Sequence, residues 1–484
     1  MVFFSCLLST ALLVFSFPKV DFFPLAWVAL VPLLIVLDGQ RPWRAFRRAY
    51  LVGFIFFALI VGWLVNVTWI GAICMFAFLA LYFGIFGLLF VYFQPLPLLL
   101  RILVLSSAWS ALEFIRDHLF SGFGWGMLGY SQYKNLYLIQ IADIVGVYGI
   151  SFLIVFVNLV LFEIWKARRI LFAPTMTVGG MLLFVFGYGA FVLHHHAVRP
   201  TVRIGLVQPN ISLAEDWDDS KKDLIVEGTL KLTRTFKGQG LDLIIWPETS
   251  LPGVIDDSPE LVNQIQATAR DLNTPIMIGS IAQEGQSYYN SAFFIDAQGH
   301  LRGHYDKIHL VPFGEYLPLR PVLGWINKII EIDDFTFGSH YKVFSLSPQK
   351  NFAVLICYED TLSGLRRRFV SGGANFLVNM TNDAWFKDTK EPYMHLANAV
   401  LGCVESHRSL ARAANTGVSA LVDPWGHIIS TVSDGNGKNT FVEGTTWGEV
   451  PLNGEKTFYT KYGDIFTYFC FLCILVAAIR RKQS

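Results

Sequence analysis

The stretch Leu243–Ser250 reads Leu-Ile-Ile-Trp-Pro-Glu-Thr-Ser, so the carboxyl group of Glu248 follows an apolar strand almost directly. Because Leu243, Ile244 and Ile245 include no polar residue, they predict a strand buried on both faces of its sheet. Such strands are typical of layered domains in which helices cover the sheets. The stretch therefore predicts an α/β domain, with Glu248 at a strand end, where α/β domains bind their ligands.

Two further segments repeat this pattern of polar residues after an apolar strand. Residues Tyr305–Tyr316 read YDKIHLVPFGEY and contain Lys307, and residues Val354–Asp360 read VLICYED and contain Cys357. Taken alone, a cysteine that ends an apolar strand is most often a small core residue. Glu248 alone could cap a turn, and Lys307 alone could be a solvated charge. The placement of all three at strand ends of one domain favours a shared function.

The three side chains have a common chemical logic. A cysteine thiol has a pKa of about 8.5, so it needs a base before it becomes a good nucleophile. Glu248 can take that proton and return it to a leaving group. An ammonium such as that of Lys307 can stabilise the oxyanion that forms on attack, and the backbone N–H of Tyr358 could be a second donor. The set predicts acyl transfer through a thioester on Cys357, without the histidine of papain-like enzymes.

The surrounding residues, 200–455, have the composition of a soluble domain and alternate between strand-like and helix-like stretches. The sequence has no Gly-x-Gly-x-x-Gly, P-loop or His-Glu-x-x-His motif, so nucleotide-binding and zinc-protease functions have no motif support. We expect strands at Val202–Val207, Leu241–Trp246, Pro275–Ile281, Ala292–Ile295, Phe352–Cys357, Phe376–Met380 and Val418–Val422, and helices at Leu224–Phe236, Pro259–Leu272 and Tyr393–Ala414.

The remaining sequence has the composition of a membrane protein, since 53% of the chain is hydrophobic and only 15% is charged. The charge-free run Ala49–Leu100 is long enough for two spans, with a turn expected near Trp69–Ala72. A signal peptide is the alternative for the first apolar stretch, but no basic region precedes it. With the two spans of that run, we expect eight in all, the others being Val2–Phe17, Phe22–Leu37, Leu96–Leu112, Gly146–Trp165, Ile170–Leu193 and Tyr462–Ile479.

Clusters of basic residues predict the orientation of these spans. If eight spans are threaded, all three clusters fall on one side of the membrane, which the positive-inside rule makes the cytoplasm. The domain between the last two spans then lies outside. A net charge of +1 gives no sign of a nucleic-acid partner. The clusters are Arg41–Arg48, Lys166–Arg169 and Arg480–Lys482.

At these motifs the sequence resembles the nitrilase superfamily and, within it, the membrane-embedded apolipoprotein N-acyltransferases. The long block Tyr305–Tyr316 carries much of the resemblance, together with the segments around Glu248 and Cys357. It covers essentially the whole chain, because further matches lie at Trp109, Glu113, Arg116, Leu128–Gln132, Thr381–Phe386, Arg412–Gly417 and Asp423–Gly426.

The resemblance implies a nitrilase-like αββα sandwich inserted before the last helix of an eight-helix transmembrane bundle. Residues 1–198 would form seven spans, 199–456 the extracytoplasmic catalytic domain, and 457–484 the last span with a basic cytoplasmic tail. The implied site residues are Glu248 as general base, Lys307 as oxyanion stabiliser, Cys357 as nucleophile, Glu315 as support for Lys307, Tyr358 and Glu359 beside the nucleophile, and Trp217 and Trp385 at the lipid entrance.

The resemblance also implies the reaction and its location. An acyl chain would pass from a membrane phospholipid, through the cysteine, to the free α-amino group of the diacylglyceryl-cysteine of an apolipoprotein. The enzyme would be a multi-pass monomer of the bacterial inner membrane, with its catalytic domain on the periplasmic face and with no metal or cofactor.

Four positions depart from the family pattern without touching the catalytic three. They concern the preference for donor and acceptor more than the reaction itself. Lys387 stands where glycine is usual, Gly402 where a basic residue is usual, Phe114 where tryptophan is usual, and Asp216 where lysine is usual.

Two other functions are compatible with parts of the sequence. A membrane-tethered amide or nitrile hydrolase would use the same three residues, but a soluble amide substrate does not require a membrane bundle of this size. A transporter or scaffold with an inactive outer domain would not be expected to keep all three residues. The acyltransferase interpretation accounts for both halves of the chain.

The basic clusters generate a prediction about topology. A reporter enzyme that works only outside the cytoplasm should be active when it is fused after Arg199. A reporter that works only in the cytoplasm should be active when it is fused after Ser484, because the basic loops stay on the cytoplasmic side. Labelling of the region around Glu248 from the cytoplasmic side would contradict both the number of spans and their orientation.

Overall fold

The computed structural model describes residues 2–195, 199–212, 219–318, 320–324 and 334–483. Within it the chain forms two compact units. The first, called here the helical unit, comprises Met1–Ala197, Thr389–Glu405 and Thr457–Ser484. The second, the sandwich unit, comprises Val198–Asp388 and Ser406–Lys456.

Among the described residues, the first part of the helical unit forms eight α-helices, of which four are long and apolar enough to cross a membrane. Those four are Trp69–Tyr92, Leu98–His118, Ala142–Ala167 and Phe172–His194. The expected total of eight spans therefore remains a prediction. In chain order the helices are α1 Val2–Phe15, α2 Val31–Leu37, α3 Pro42–Ile60, α4 Trp69–Tyr92, α5 Leu98–His118, α6 Leu136–Ile139, α7 Ala142–Ala167 and α8 Phe172–His194.

The turn expected at Trp69–Ala72 was placed too late in the sequence. Helix α3 ends at Ile60, a short 3₁₀ turn covers Gly62–Asn66, and α4 already begins at Trp69. The reason is local, because Gly62 and Asn66 favour a turn before Trp69, whereas Gly71 is accommodated within α4 among apolar residues.

The sandwich unit contains two six-stranded sheets. Its strands are β1 Thr201–Gln208, β2 Leu243–Ile245, β3 Ile276–Glu284, β4 Ser287–Ile295, β5 Leu301–Asp306, β6 Val343–Ser347, β7 Lys350–Ile356, β8 Phe376–Thr381, β9 Ser409–Ala414, β10 Ala420–Val422, β11 Ile428–Thr431 and β12 Gly444–Pro451, and its helices are α9 Lys222–Arg234, α10 Pro259–Leu272, α11 Arg320–Leu323 and α12 Ser363–Ser371.

The strand order is β12-β1-β2-β3-β4-β5 in one sheet and β11-β10-β9-β8-β7-β6 in the other. The centre of each sheet is parallel, β1-β2-β3 in the first and β7-β8-β9 in the second, and antiparallel strands flank it. Parallel strands are buried on both faces, which is why β2 and the second half of β7 are continuously apolar. The mixed α/β class predicted from the sequence is confirmed.

Aromatic rings pack between the two sheets. The ring of Phe294 on β4 lies 5.6 Å from that of Phe344 on β6 and 5.8 Å from that of Phe352 on β7. On the other face of the first sheet, α9 and α10 bury Leu230 and Ile265 in one apolar cluster. The sheets are therefore packed face to face, and the carboxyl ends of β2 and β7, with the loop after β5, carry the predicted site segments.

The chain then returns twice to the helical unit, through α13 Glu391–Ser406 and through α14 Phe458–Tyr462 with α15 Ile465–Gln483. The expected helix Tyr393–Ala414 was wrong beyond Ser406. His407 adopts a left-handed conformation with φ 47°, and the following residues form β9 between β8 and β10. Strand pairing there overrides the helical preference of the alanines.

Helix α13 makes a defined contact within the helical unit. Helix α7 is interrupted at Gly146, whose φ of 64° and ψ of −178° are not helical. The N–H of Val147, which restarts the helix, donates to Oε1 of Glu405 at 3.0 Å. A carboxylate at the start of a helix satisfies a free N–H and favours the helix dipole. Glu405 therefore acts as the cap of the second half of α7.

A close contact in the helical unit allows a test of the packing. A Cβ atom added to Gly189 of α8 would lie 1.8 Å from the carbonyl oxygen of Tyr137, whereas one added to Gly187 would have no atom within 4 Å. Gly189→Ala should lower the thermal unfolding midpoint, with a loss of about 1–3 kcal/mol, because the two segments must separate. Gly187→Ala is the matched control and should leave the midpoint unchanged or raised. Equal midpoints for the two variants would contradict the packing.

Candidate active site

The three predicted catalytic side chains lie at one end of the sandwich unit. Glu248 follows β2, Lys307 follows β5 and Cys357 follows β7. The ammonium nitrogen of Lys307 lies 3.3 Å from Oε1 of Glu248, and the charges of both act on the Cys357 thiol. Gly279 allows the segment of Glu248 to lie close to β3, because a Cβ atom at Gly279 would lie 2.6 Å from the carbonyl oxygen of Pro247.

Lys307 is a buried cation with two carboxylate partners. Only 1% of its side chain is exposed, and Nζ donates to Oε1 of Glu315 at 2.8 Å as well as to Glu248. Burial alone would lower the pKa of Lys307, but the carboxylates of Glu248 and Glu315 outweigh it and hold this pKa well above its ordinary value. The side chain therefore remains an ammonium, as an oxyanion stabiliser must.

Glu248 is a buried carboxylate with a fixed orientation. Its Oε1 accepts from Nδ2 of Asn290 at 2.8 Å, and its Oε2 accepts from the backbone N–H of Asn382 at 2.9 Å. Burial raises the pKa of Glu248, and the ammonium of Lys307 opposes this effect only in part. A carboxyl group with a raised pKa is a better proton acceptor near neutral pH than an ordinary glutamate.

Cys357 carries a thiol that is protonated at rest. Burial raises its pKa well above the ordinary value, the carboxylate of Glu248 raises it further, and Lys307 opposes both. Its backbone has a φ of 55°, in the left-handed region that residues with a side chain rarely adopt. A neutral thiol beside a carboxylate can lose its proton as it attacks, which is the behaviour expected of a base-assisted nucleophile.

Glu315 and Asn290 complete the shell around Lys307. Oε1 of Glu315 accepts from Lys307 and from Nδ2 of Asn290, both at 2.8 Å, and its Oε2 accepts from the N–H of Val311 at 2.7 Å. The structure thus places Glu315 on Lys307, the position that the sequence resemblance implies. Asn290 joins the two carboxylates, and the sequence analysis had assigned it no role.

Glu359 holds two loops of the site together. It is fully buried, and its oxygens accept from the N–H groups of Ile308, His309 and Ile356 at 2.8–3.0 Å and from the hydroxyl of Tyr305. Burial raises its pKa to about 7, and the backbone donors oppose this rise. Glu359 therefore fixes the loop after β5 to the turn after β7.

The remaining predicted site residues are less involved in these contacts. The hydroxyl of Tyr358 donates to the carbonyl of Leu310 at 3.1 Å. Trp385 lies in the turn after β8 with 42% of its surface exposed. Trp217 and the departure at Asp216 lie outside the described residues.

The departures at Lys387 and Gly402 lie in different elements. Lys387, where the resemblance implies glycine, adopts a φ of 54° and a ψ of −168°, a conformation that glycine adopts more readily than other residues. Gly402 lies in α13.

A second layer of polar residues lies behind the nucleophile, and the sequence analysis gave none of them a role. It consists of Asn379, Asp383 and Arg412, all buried. A polar residue inside an otherwise apolar strand is the signal that could have identified Asn379. Arg412 was noted only as part of a motif that carries the resemblance, because its strand was predicted as a helix.

Comparisons with known proteins agree over both halves of the chain. The family model described as the apolipoprotein N-acyltransferase N-terminal domain matches residues 9–160, and the carbon-nitrogen hydrolase family matches residues 203–452. The chain is 36% identical to the apolipoprotein N-acyltransferase of Geobacter metallireducens over 98% of this chain and 95% of that protein. It is 30% identical to the enzymes so named from Chlorobaculum tepidum and Haemophilus influenzae, each over 99% of this chain, and 97% and 95% of those proteins.

Among solved structures, an amidase of the nitrilase superfamily from Nesterenkonia sp. AN1 is similar to part of the chain. The TM-score is 0.40 and the identity 17%, over 56% of this chain and all of the amidase, 100%.

The contacts of Glu248 generate a prediction about pH. The hydrogen bond from Asn290 lowers the pKa of the Glu248 carboxyl, so Asn290→Ala should raise it. A general base works only when ionised, and acylation is lost as the pH falls through its pKa. The acid limb of the kcat/KM profile should therefore move to higher pH in Asn290→Ala.

Two controls accompany this measurement. Tyr289→Phe, on the same strand but packed against the opposite face of the sheet, should leave the acid limb in place. Glu248→Gln should lower the rate above the acid limb by about 10²–10⁴-fold, which is the contribution of a general base, and should remove that limb. An acid limb that does not move in Asn290→Ala would mean that Glu248 is not the titrating base.

Proposed function

The chain belongs to the apolipoprotein N-acyltransferase family and is an N-acyltransferase, and we propose that Glu248, Lys307 and Cys357 transfer the acyl group. The observation that carries this proposal is the buried Lys307 ammonium held by two carboxylates beside a protonated thiol. This arrangement brings the base, the oxyanion stabiliser and the nucleophile together at one largely buried site.

The first half-reaction loads the enzyme. Glu248 accepts the thiol proton while the sulfur of Cys357 attacks an ester carbonyl of a membrane phospholipid. The carbonyl oxygen becomes an oxyanion beside the Lys307 ammonium. The intermediate then collapses, the ester C–O bond breaks, and Glu248 returns the proton to the departing alcohol. The products are a thioester on Cys357 and a lysophospholipid.

The second half-reaction uses the same three side chains to pass the acyl group from the sulfur to the amine. The free α-amino group of an N-terminal diacylglyceryl-cysteine attacks the thioester, and the new oxyanion again faces Lys307. The C–S bond breaks, the amine loses a proton to Glu248, and the thiolate of Cys357 recovers it. Because a thioester is higher in free energy than an amide, the transfer needs no nucleotide.

The helical unit supports a phospholipid as the donor. Four helices are long and apolar enough to cross a bilayer, so the donor and a lipidated acceptor are available in the same phase as the enzyme. We propose eight spans in total, with residues 199–456 forming the catalytic domain on the periplasmic face, because the basic clusters then lie in the cytoplasm. We also propose that the enzyme works as a monomer without a metal or cofactor.

A membrane-tethered amide or nitrile hydrolase is the second candidate. It is favoured by the match of residues 203–452 to the carbon-nitrogen hydrolase family. The full-length similarity to N-acyltransferases, which includes the helical half, favours the first candidate. Water and an amine can attack the same thioester, so the two functions differ in the acceptor.

A stoichiometric experiment separates the two candidates. Purified enzyme given phospholipid alone should release about one lysophospholipid per active site and then stop, because the acyl-enzyme waits for an amine. Its mass should rise by one acyl group on Cys357, and hydroxylamine should remove that group. A peptide with an N-terminal diacylglyceryl-cysteine should discharge the enzyme and restart turnover.

Three controls define the outcome of the stoichiometric experiment. Cys357→Ala should release no lysophospholipid, while Cys403→Ala, which removes a thiol from the helical unit, should behave as the unaltered enzyme. A peptide acetylated on its α-amine should not discharge the thioester. Continuous release of free fatty acid without a peptide would identify a hydrolase instead.

A further inference from the structure

The left-handed conformation of Cys357 needs an external restraint. With a φ of 55°, a residue that has a Cβ atom is less stable than in the usual regions, and such strain persists only where neighbouring groups impose it. The backbone of this residue also sets the direction of its Cα–Cβ bond, and so the direction from which the sulfur can attack. Whatever fixes this backbone therefore fixes the nucleophile.

Asn379 supplies such a restraint from the neighbouring strand. It lies on β8 opposite Leu355 of β7, and no part of it is exposed. Its Nδ2 donates to the carbonyl oxygen of Leu355 at 3.0 Å and to that of Cys357 at 2.9 Å. Both hydrogens of one amide group thus hold the backbone on either side of the strand end.

Arg412 determines which way the Asn379 amide points. Its Nη1 donates to Oδ1 of Asn379 at 2.6 Å. A guanidinium has donors only, so the amide oxygen must face Arg412 and the amide nitrogen must face the two carbonyls. The orientation of the Asn379 side chain is therefore set by its chemistry.

The guanidinium of Arg412 is itself fixed from three further sides. It is fully buried, Nη1 also reaches Oδ2 of Asp360 at 3.2 Å, and Nη2 reaches Oδ2 of Asp383 at 3.0 Å. Nε donates to the carbonyl of Val418 at 3.3 Å. Asp360 lies in the turn that starts at Cys357, and Asp383 lies in the turn after β8. One cation thus ties together the ends of three adjacent strands.

We propose that Asn379, oriented by Arg412, is a positioning residue that holds Cys357 in the left-handed conformation from which its sulfur attacks the acyl donor. This inference rests on the proposed function, because it takes Cys357 as the nucleophile. Neither Asn379 nor Arg412 is proposed to contact the substrate.

The first test uses Asn379→Leu in the full-length enzyme, because leucine has nearly the same size and no donor. Three quantities are measured: the single-turnover acylation of Cys357 by phospholipid, the KM for phospholipid, and the alkylation of Cys357 by iodoacetamide. Acylation should fall by about 10²-fold, since a small misplacement of a reacting atom has that effect. The KM should stay within about twofold, because binding of the donor does not use Asn379.

Alkylation distinguishes a positioning role of Asn379 from a purely structural one, because a loss of structure would change alkylation and acylation together. Iodoacetamide is small and needs an accessible thiol but no oxyanion partner, so its rate should change by less than about threefold. Equal losses of acylation and alkylation would overturn the inference, because the thiol would then be inaccessible to both reagents and not misdirected towards the acyl donor. A folded Asn379→Leu enzyme with normal acylation would overturn it as well.

Two arginine variants provide the matched comparison. Arg412→Lys keeps the charge, but one ammonium cannot replace the forked donors, so acylation should fall by at least about tenfold. Arg408 is buried to the same extent, yet it donates to the carbonyls of Ala374 and Glu455, away from Cys357. Arg408→Lys should lower the thermal midpoint and leave acylation intact. If Asn379→Leu does not fold, the two arginine variants test the proposal instead. Equal acylation by Arg412→Lys and Arg408→Lys would refute it.

The same assay distinguishes this inference from the proposed function. If Cys357→Ala still forms an acyl-enzyme, the nucleophile itself is wrong. If Cys357→Ala is inactive and Asn379→Leu acylates normally, only the positioning role of Asn379 fails.

Discussion

The ammonium of Lys307 lies in the interior between the carboxylates of Glu248 and Glu315, and most of the site follows from that placement. A buried charge is tolerated only when it is paired and its partners are hydrogen-bonded in turn. Asn290 meets this requirement for both carboxylates, and backbone N–H groups satisfy their other oxygens. These donors come from separate strands and loops, so the charge can be buried only once both sheets are assembled.

The environment of Cys357 also lowers the reactivity of its thiol in the resting enzyme. Burial and the Glu248 carboxylate hold the pKa of the Cys357 thiol above its ordinary value, so the resting enzyme carries a thiol and not a thiolate. Oxidants and electrophiles react with thiolates far faster than with neutral thiols, so a protonated Cys357 reacts with them only slowly. In the proposed reaction the thiolate forms only as a carbonyl group arrives and its developing oxyanion interacts with Lys307.

The sequence was sufficient for the parts of the fold and site that depend on local pattern. Continuous apolar residues predicted parts of the parallel sheet centres, and polar residues after β2 and β7 led to Glu248 and Cys357. Lys307 follows β5, which is an antiparallel strand with a largely polar sequence. Contacts between segments distant in sequence could not be read in this way. Asn290 and Asn379 act through their position opposite other strands, and periodicity carries no information about such pairing. Arg412 was assigned to a helix, because the alanines around it have a high helix propensity that only the neighbouring strands override.

The path of the chain between the two units has a consequence for biogenesis. Helix α13 interrupts the sandwich between β8 and β9, and Glu405 on it caps the second half of α7 in the helical unit. Neither unit is therefore a continuous piece of chain. During synthesis the early helices emerge first, but they lack this cap until most of the catalytic domain has been made, and β9 to β12 follow later still. Each unit is thus completed only after part of the other has been synthesised.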